Sequence, residues 1–137
     1  MLLALGGMKS TAERLLIKPD ARVRIAGEVV DAASRLGPLP DGATFDSTSP
    51  IVDAVVLFAV SSADVRTHLP GATSAAGHDG LLWLAYPKGT SGLKTDLGRD
   101  TLTTLTDPVA GLTGVTLVSI DEVWSAMRLR PSERYRA

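Results

Sequence analysis

The chain has 137 residues, 45% of them hydrophobic and 21% charged, with a formal net charge of −1 and no cysteine. That length suits one domain with one core. The missing cysteine excludes disulfides, thiol nucleophiles and thiolate metal sites, and the near-neutral charge argues against nucleic acid held by bulk electrostatics.

No apolar run approaches the roughly 18 residues of a membrane helix. Met1–Gly7 is apolar but lacks a basic start and is too brief for a signal peptide. The expectation is a cytoplasmic domain over residues 9–130 with no nucleic-acid or membrane partner, flanked by flexible termini at 1–8 and 131–137. Aromatic residues make up only 4%, so aliphatic side chains must build the core.

In chain order, Ser10 or Thr11 can cap a short helix over Ala12–Leu16, and Lys18-Pro19-Asp20 ends it. Arg22–Ala26 alternates charged and apolar residues and reads as a first strand, ended by Gly27. Val29, Val30, Ala33 and Leu36 have helical spacing, which predicts a helix over Glu28–Leu36 before the turn at Gly37–Gly42. Ala43–Asp46 is a short second strand.

Ile51–Val60 is a nearly unbroken apolar run, as expected of a strand buried on both faces of a parallel sheet. Ser61-Ser62 caps a helix to about Thr73. Gly80–Tyr86 is a second buried strand, followed by a polar loop from Pro87 to about Asp96. A helix over Leu97–Thr106 comes next, then a further helical turn begun by Asp107-Pro108.

Gly114–Ile120 is a strand. Trp124–Leu129 is the last, ended by Pro131. The connection Asp121-Glu122-Val123 is too short for a crossover helix, so the last two strands must be antiparallel. Together these elements predict an α/β fold: a three-layer, Rossmann-like open sheet, mostly parallel, with a C-terminal antiparallel hairpin. The buried strands should be central and adjacent. Arg22–Ala26 should flank one of them, Trp124–Leu129 the other, with Val115–Ile120 at the edge.

Cofactor signatures are missing. The turn after the first strand reads Ala26-Gly27-Glu28-Val29-Val30, with one glycine where a dinucleotide or adenosylmethionine site uses several. Glu28 also places negative charge where a phosphate would sit, so no cofactor is expected at this turn. Lys88–Thr95 superficially suggests a P-loop, but Leu93 interrupts the required glycine-lysine-hydroxyl order, and the glycine spacing fails for a nucleophile elbow. The loop can still be an anion cradle, or a solvated loop with capping residues at Thr95 and Asp96. From Tyr86 to Asp100, Lys88, Lys94 and Arg99 stand against Asp96 and Asp100. His68 and His78 have no metal-ligand partner at helical or hairpin spacing, and both read as surface residues, so no metal is expected.

The closing hairpin, with Asp79-Gly80-Leu81-Leu82-Trp83-Leu84, resembles the end of a class I methyltransferase domain in shortened form. Three segments resemble a bacterial family, domain of unknown function 3052. They are Leu16-Ile17-Lys18-Pro19; Ala85-Tyr86-Pro87-Lys88 with Ser91–Asp96 and Arg99-Asp100; and Ile120–Arg128. The resemblance implies a compact Rossmann-like fold in a bacterial cytoplasm and supplies no catalytic residues.

Ligands of open α/β sheets bind at the carboxyl ends of the strands. The long loop and the closing hairpin should converge there, with Trp124 and Ser125 beside Tyr86 and Pro87. The expected function is a small binding module that holds an anionic molecule or a protein partner at this rim, with homodimerisation through the Val115–Ile120 edge or an apolar helix face open to it. The alternative is a group-transferase enzyme with its site in residues 86–100. Candidate ligand contacts are Lys88, Ser91, Lys94 and Arg99, with Tyr86 and Trp124 as apolar walls and Asp121 and Ser125 nearby. The competing reading makes Lys94 and Arg99 mere fasteners of the loop, paired with Asp96, Asp100 or Asp121. Trp124 can equally be a core residue, and Arg128, on the same face as Trp124 and Ala126, can pair with a nearby acid.

Overall fold

The structure, a computed structural model, describes residues 10–77, 79–98, 101–102 and 111–131. In chain order it contains α1 (Thr11–Arg14), β1 (Arg22–Ala26), a 3-10 turn (Ala33–Leu36), β2 (Thr44–Phe45), β3 (Ala54–Phe58), α2 (Ser62–Ala76), β4 (Leu81–Pro87), β5 (Leu112–Ser119) and β6 (Trp124–Pro131). The turn of helix begun by Asp107-Pro108, most of the helix expected over Leu97–Thr106, His78, Arg99, Asp100 and both termini except Pro131 lie outside the described residues.

The six strands form one sheet in the order β2-β1-β3-β4-β6-β5. The first four are parallel, and β6 runs antiparallel to both β4 and β5. This is the α/β, Rossmann-like sheet with a closing hairpin that the sequence predicts, with the five strands it placed in their expected order; β2, for which it gave no place, lies outside β1.

β3 is wholly buried because both faces of the sheet are covered. Val55 and Leu57 face α2, which contributes Val65, Leu69 and Ala72. Ala54, Val56 and Phe58 face the other layer, built from Ala12 and Leu15 of α1 together with Ile17, Ala32 and Leu36. Trp83 of β4 joins that layer, and its Nε1 donates to the Leu15 carbonyl at 2.9 Å, so the buried indole is satisfied where α1 ends.

Helix ends follow their side chains. At α1, Ser10 Oγ accepts from the Glu13 amide while Glu13 reaches back to the Ser10 amide, a reciprocal capping box. At α2, Ser61 Oγ accepts from the Asp64 amide. α2 continues past Thr73 to Ala76, where Gly77 ends it with φ +67.

The helix expected over Glu28–Leu36 is reduced to its last four residues. Asp31 adopts a left-handed φ of +60, which interrupts helical hydrogen bonding, and the β-branched Val29 and Val30 gain little from helix. Of the four residues at helical spacing only Leu36 is buried: Val30 is 85% exposed, Ala33 is exposed, and the alanine that enters the core is Ala32. β6 also runs through Pro131, its last residue, which pairs with Leu112 of β5 beyond the Leu82–Leu129 pair that closes the register with β4, so a missing N–H is tolerated there. The β5–β6 ladder slips between Gly114 and Thr116, giving an irregularity in an edge strand whose Val115 and Leu117 are exposed.

Gly27 and Gly71 make opposite predictions. Gly27 has φ +95, and a Cβ there would collide with the Phe58 carbonyl oxygen; nothing lies within 4 Å of a Cβ at Gly71, inside α2. Gly27→Ala should destabilise the fold by about 2 kcal/mol or more, and Gly71→Ala should stabilise it by about 0.5–1 kcal/mol. Urea unfolding of the two variants checks both signs.

Candidate functional site at the carboxyl rim

Chain direction reverses at the centre of the sheet. β1 leads outward to β2, and β3 leads the other way to β4, so the crevice between the carboxyl ends of β1 and β3 is the topological switch point. In this chain the crevice is crossed by its own residues. Gly27 passes over the end of β3 so close to the Phe58 carbonyl that no side chain could stand there. Just beyond it, the Glu28 carboxylate lies 3.2 Å from His68 Nε2 on α2. These two residues are 40 positions apart, and only the sheet order brings them together.

Asp46 follows β2, at the carboxyl rim. It is held inside its own turn: Oδ1 accepts from the Thr48 and Ser49 amides at 3.0 and 2.9 Å, and Oδ2 from Ser49 Oγ at 2.7 Å. The Ser49 backbone and hydroxyl, then the Thr48 amide, hold its carboxyl well below the usual carboxylate range. Arg24 approaches the same carboxylate and also donates to the Asp46 and Ser49 carbonyls.

The loop after β4 returns across the α2 face. The Lys88 amide donates to the Val123 carbonyl at 2.7 Å, and Lys88 Nζ donates to Ser119 Oγ at 2.6 Å. Lys88 therefore ties the loop to the β5–β6 hairpin. Ser91 closes a turn, with its amide on the Lys88 carbonyl and its hydroxyl accepting from the Leu93 amide. Asp96 Oδ1 accepts from the Ser62 amide at 2.8 Å, and Leu97 is buried in the α2-side core. The Ser62 hydroxyl and then the Ser62 amide lower the Asp96 pKa. A carboxylate of the chain thus takes up a donor at the N-terminus of α2 that an anionic ligand would otherwise find.

Lys94 differs from its neighbours. It is exposed and has no hydrogen-bond or ion-pair partner among the described residues. It lines an open groove of about 600 Å³ with Val60, Ser61, Leu93, Thr95 and Asp96, directly above the carboxyl end of β3. The loop is fastened, as one reading of the sequence had it, but through Lys88, Asp96 and Leu97 and not through Lys94. The expected role of Arg99 lies outside the described residues.

The hairpin meets the loop as expected: Trp124 pairs with Pro87 and Ser125 with Tyr86. Tyr86 and Trp124 do not, however, form two walls of one pocket. Successive residues of a strand point to opposite faces, so a partner one position removed faces the other way. Tyr86 and Ser125 lie on the α2 face, whereas Trp124 packs edge-on against Phe58 on the α1 face, ring centroids 5.1 Å apart. Both aromatic side chains are buried, at 8% and 2% exposure.

Asp121 is part of the hairpin's frame. Its Oδ1 accepts from the Val123 and Trp124 amides, each at 2.8 Å, and its Oδ2 from Arg35 at 2.8 Å. Burial works to raise its pKa, but the Trp124 and Val123 amides and the Arg35 guanidinium outweigh it, and the net direction is downward. Arg35 belongs to the 3-10 turn, so this contact joins the β5–β6 connection to the segment after β1. The sequence reading named Glu28 and His68 without pairing them and did not single out Asp46 or Arg35, because each depends on a partner brought close by tertiary structure or a turn. Among the described residues there is no group of three or more His, Asp or Glu able to hold a metal, and no helix long and apolar enough to cross a membrane.

No family model and no curated protein matches the chain. Among solved structures it is similar to NcsB1, an O-methyltransferase from neocarzinostatin biosynthesis, solved with S-adenosylmethionine and 2-hydroxy-5-methyl naphthoic acid. The TM-score is 0.55 at 16% identity, over 94% of this chain and 52% of NcsB1. The chain thus spans about half of that enzyme's length. DhpI, solved with SAH, gives a TM-score of 0.44 at 15% identity, over 88% of this chain and 82% of DhpI, and at that level carries no argument. The likeness to NcsB1 shows a methyltransferase-like Rossmann fold.

The rim residues of this chain do not fit adenosylmethionine in the glycine-loop manner. The turn after β1 has one glycine, packed against the Phe58 carbonyl, Glu28 faces His68, and Asp46 is engaged within its own turn.

Asp121 generates a pH prediction. Its folded pKa is depressed, so its contribution is fully present above the unfolded value of ~4 and is lost as pH falls through the lower folded value. Asp121→Ala should cost about 2 kcal/mol at neutral pH, and the gap to wild type should narrow as pH is taken below ~4. Urea titrations at a series of pH values measure that gap.

Proposed function

We propose that this chain is a group-transferase-type domain that takes a small anionic molecule at the carboxyl rim, beside the 88–98 loop. The observation that carries the proposal is Lys94: an exposed cation without a partner among the described residues, over a groove at the strand ends where ligands of open α/β sheets bind. The methyltransferase-like sheet supports a transferase over a bare binding module. Membership of the family domain of unknown function 3052, with the cytoplasmic setting it implies, belongs to the same proposal. It rests on the segments Leu16–Pro19, Ala85–Lys88 with Ser91–Asp96 and Arg99-Asp100, and Ile120–Arg128.

A binding module without chemistry is the second reading. The specific observation in its favour is the turn after β1, which has a single glycine and sets the Glu28–His68 contact at the switch point. No chemical step is assigned to any residue.

A thermal-shift panel of nucleotides, anionic metabolites and S-adenosylmethionine tests the rim. An anionic compound should raise the melting temperature of the wild type. Lys94→Ala should abolish that rise while changing intrinsic stability by no more than about 0.5 kcal/mol. Lys88→Ala should instead lower stability by about 1 kcal/mol, because it removes the tie to Ser119. Retention of the ligand effect in Lys94→Ala would sink the site, and micromolar S-adenosylmethionine affinity would overturn its exclusion from the β1 turn.

A further inference from the structure

Arg128 stands out on the α1 face of the sheet. It is opposite Trp83 in the β4–β6 ladder, so it shares that face with Trp83, Trp124 and Ala126, all of them buried and apolar. Its Nε is buried and has no hydrogen-bond partner among the described residues. The sequence leads one to expect a pairing acid, and acids are near: Asp20, Asp53 and Asp79 line the same cavity. None forms an ion pair with Arg128; Asp53 instead accepts from the Arg22 amide at 2.7 Å and lies 3.8 Å from Arg22 Nε. A buried guanidinium nitrogen without an acceptor is costly, and its natural complement is a planar anion.

The cavity that Arg128 lines holds about 600 Å³ and lies at the amino ends of β3 and β4, on the rim opposite the Lys94 groove. Leu16, Pro19, Ala54 and Leu81 give it apolar wall. Lys18 adds an exposed cation, also without a partner among the described residues. Lys18 and Arg128 are the cations of a lining that also carries Asp20, Asp53 and Asp79, and Asp53 is already engaged by Arg22. One guanidinium nitrogen without an acceptor calls for one carboxylate, whereas a polyanion such as a nucleotide would press further negative charge against the lining acids. Leu16 and Asp20, both with φ +66, shape the wall from a segment held in a conformation that few side chains adopt.

The geometry points to a second binding site here, for a small monocarboxylate with an apolar body. Its carboxylate meets the Arg128 guanidinium, its apolar part lies along Leu16, Pro19 and Leu81, and Lys18 stands at the mouth. This site is independent of the carboxyl-rim reading, because none of its residues lines the Lys94 groove.

The test is a titration of the full-length isotopically labelled chain with hexanoate, followed by NMR at the Arg128 Nε–H and at the Leu16 and Leu81 amides. Saturable shifts in the millimolar range are expected. Arg128→Met, which keeps most of the stem, should weaken binding by about tenfold or more, and Lys94→Ala should leave it unchanged. Hexanol should not reproduce the shifts. The proposal is overturned if hexanoate gives no saturable shift, if hexanol or inorganic phosphate moves the same signals as strongly, or if Arg128→Met binds like wild type. Should Arg128→Met lose the dispersed spectrum of a folded chain, Lys18→Ala decides. A weakening of about threefold supports the site, and unchanged affinity refutes it.

Discussion

Ala54–Phe58 has no exposed surface on either face, and this double burial governs the architecture around it. A strand that must be dry on both sides needs a layer above, a layer below and a hydrogen-bonded neighbour along each edge. α2 supplies one layer; α1, Ile17 and the 3-10 turn supply the other; β1 and β4 supply the edges. Because β1 and β4 stand on opposite sides of β3, the chain reverses its direction of growth there. The switch point, and with it the carboxyl-rim crevice, is thus a by-product of keeping five residues away from water.

The carboxyl rim is held together largely by acidic side chains accepting from nearby amides, hydroxyls and cations. Asp96 accepts from Ser62, Asp64 from the Val60 amide, Asp121 from Val123 and Trp124, and Glu28 faces His68. Each of these contacts satisfies backbone or ring nitrogen that would otherwise solicit a ligand. Against this background an exposed lysine whose ammonium does no comparable work is the exception. The amino rim shows the converse arrangement: carboxylates line the cavity, and the guanidinium beside them remains without one.

The sheet was legible in the sequence because its signals are local and strong. The apolar run within Ile51–Val60 marks a strand buried on both faces, although the strand is confined to Ala54–Phe58 and Ile51 is exposed, and the three residues Asp121–Val123 are too short for anything but a hairpin. What escaped the reading was set by tertiary geometry. The Asp31 conformation that interrupts the expected helix leaves no mark in residue spacing. The facing of Tyr86 and Trp124 depends on register, and pairing Trp124 with Pro87 in place of Tyr86 sends the two rings to opposite layers. Lys94 and Arg99 were equivalent by type in the loop; only the backbone path after β4 distinguishes the exposed Lys94 from Lys88, which the hairpin takes up.

The chain has two tryptophans, and both lie in the layer that contains α1: Trp83 bonded to the Leu15 carbonyl, Trp124 packed on Phe58. α2 and the 88–98 loop lie on the other side of the sheet, screened from both indoles by the β-strands. Intrinsic fluorescence is therefore a one-sided reporter. Detachment of the N-terminal layer would admit water to the indoles and shift their emission to the red, whereas loosening of the α2 layer would be nearly silent until the sheet itself opened. A folding or ligand study that relied on tryptophan emission alone would record one half of this molecule.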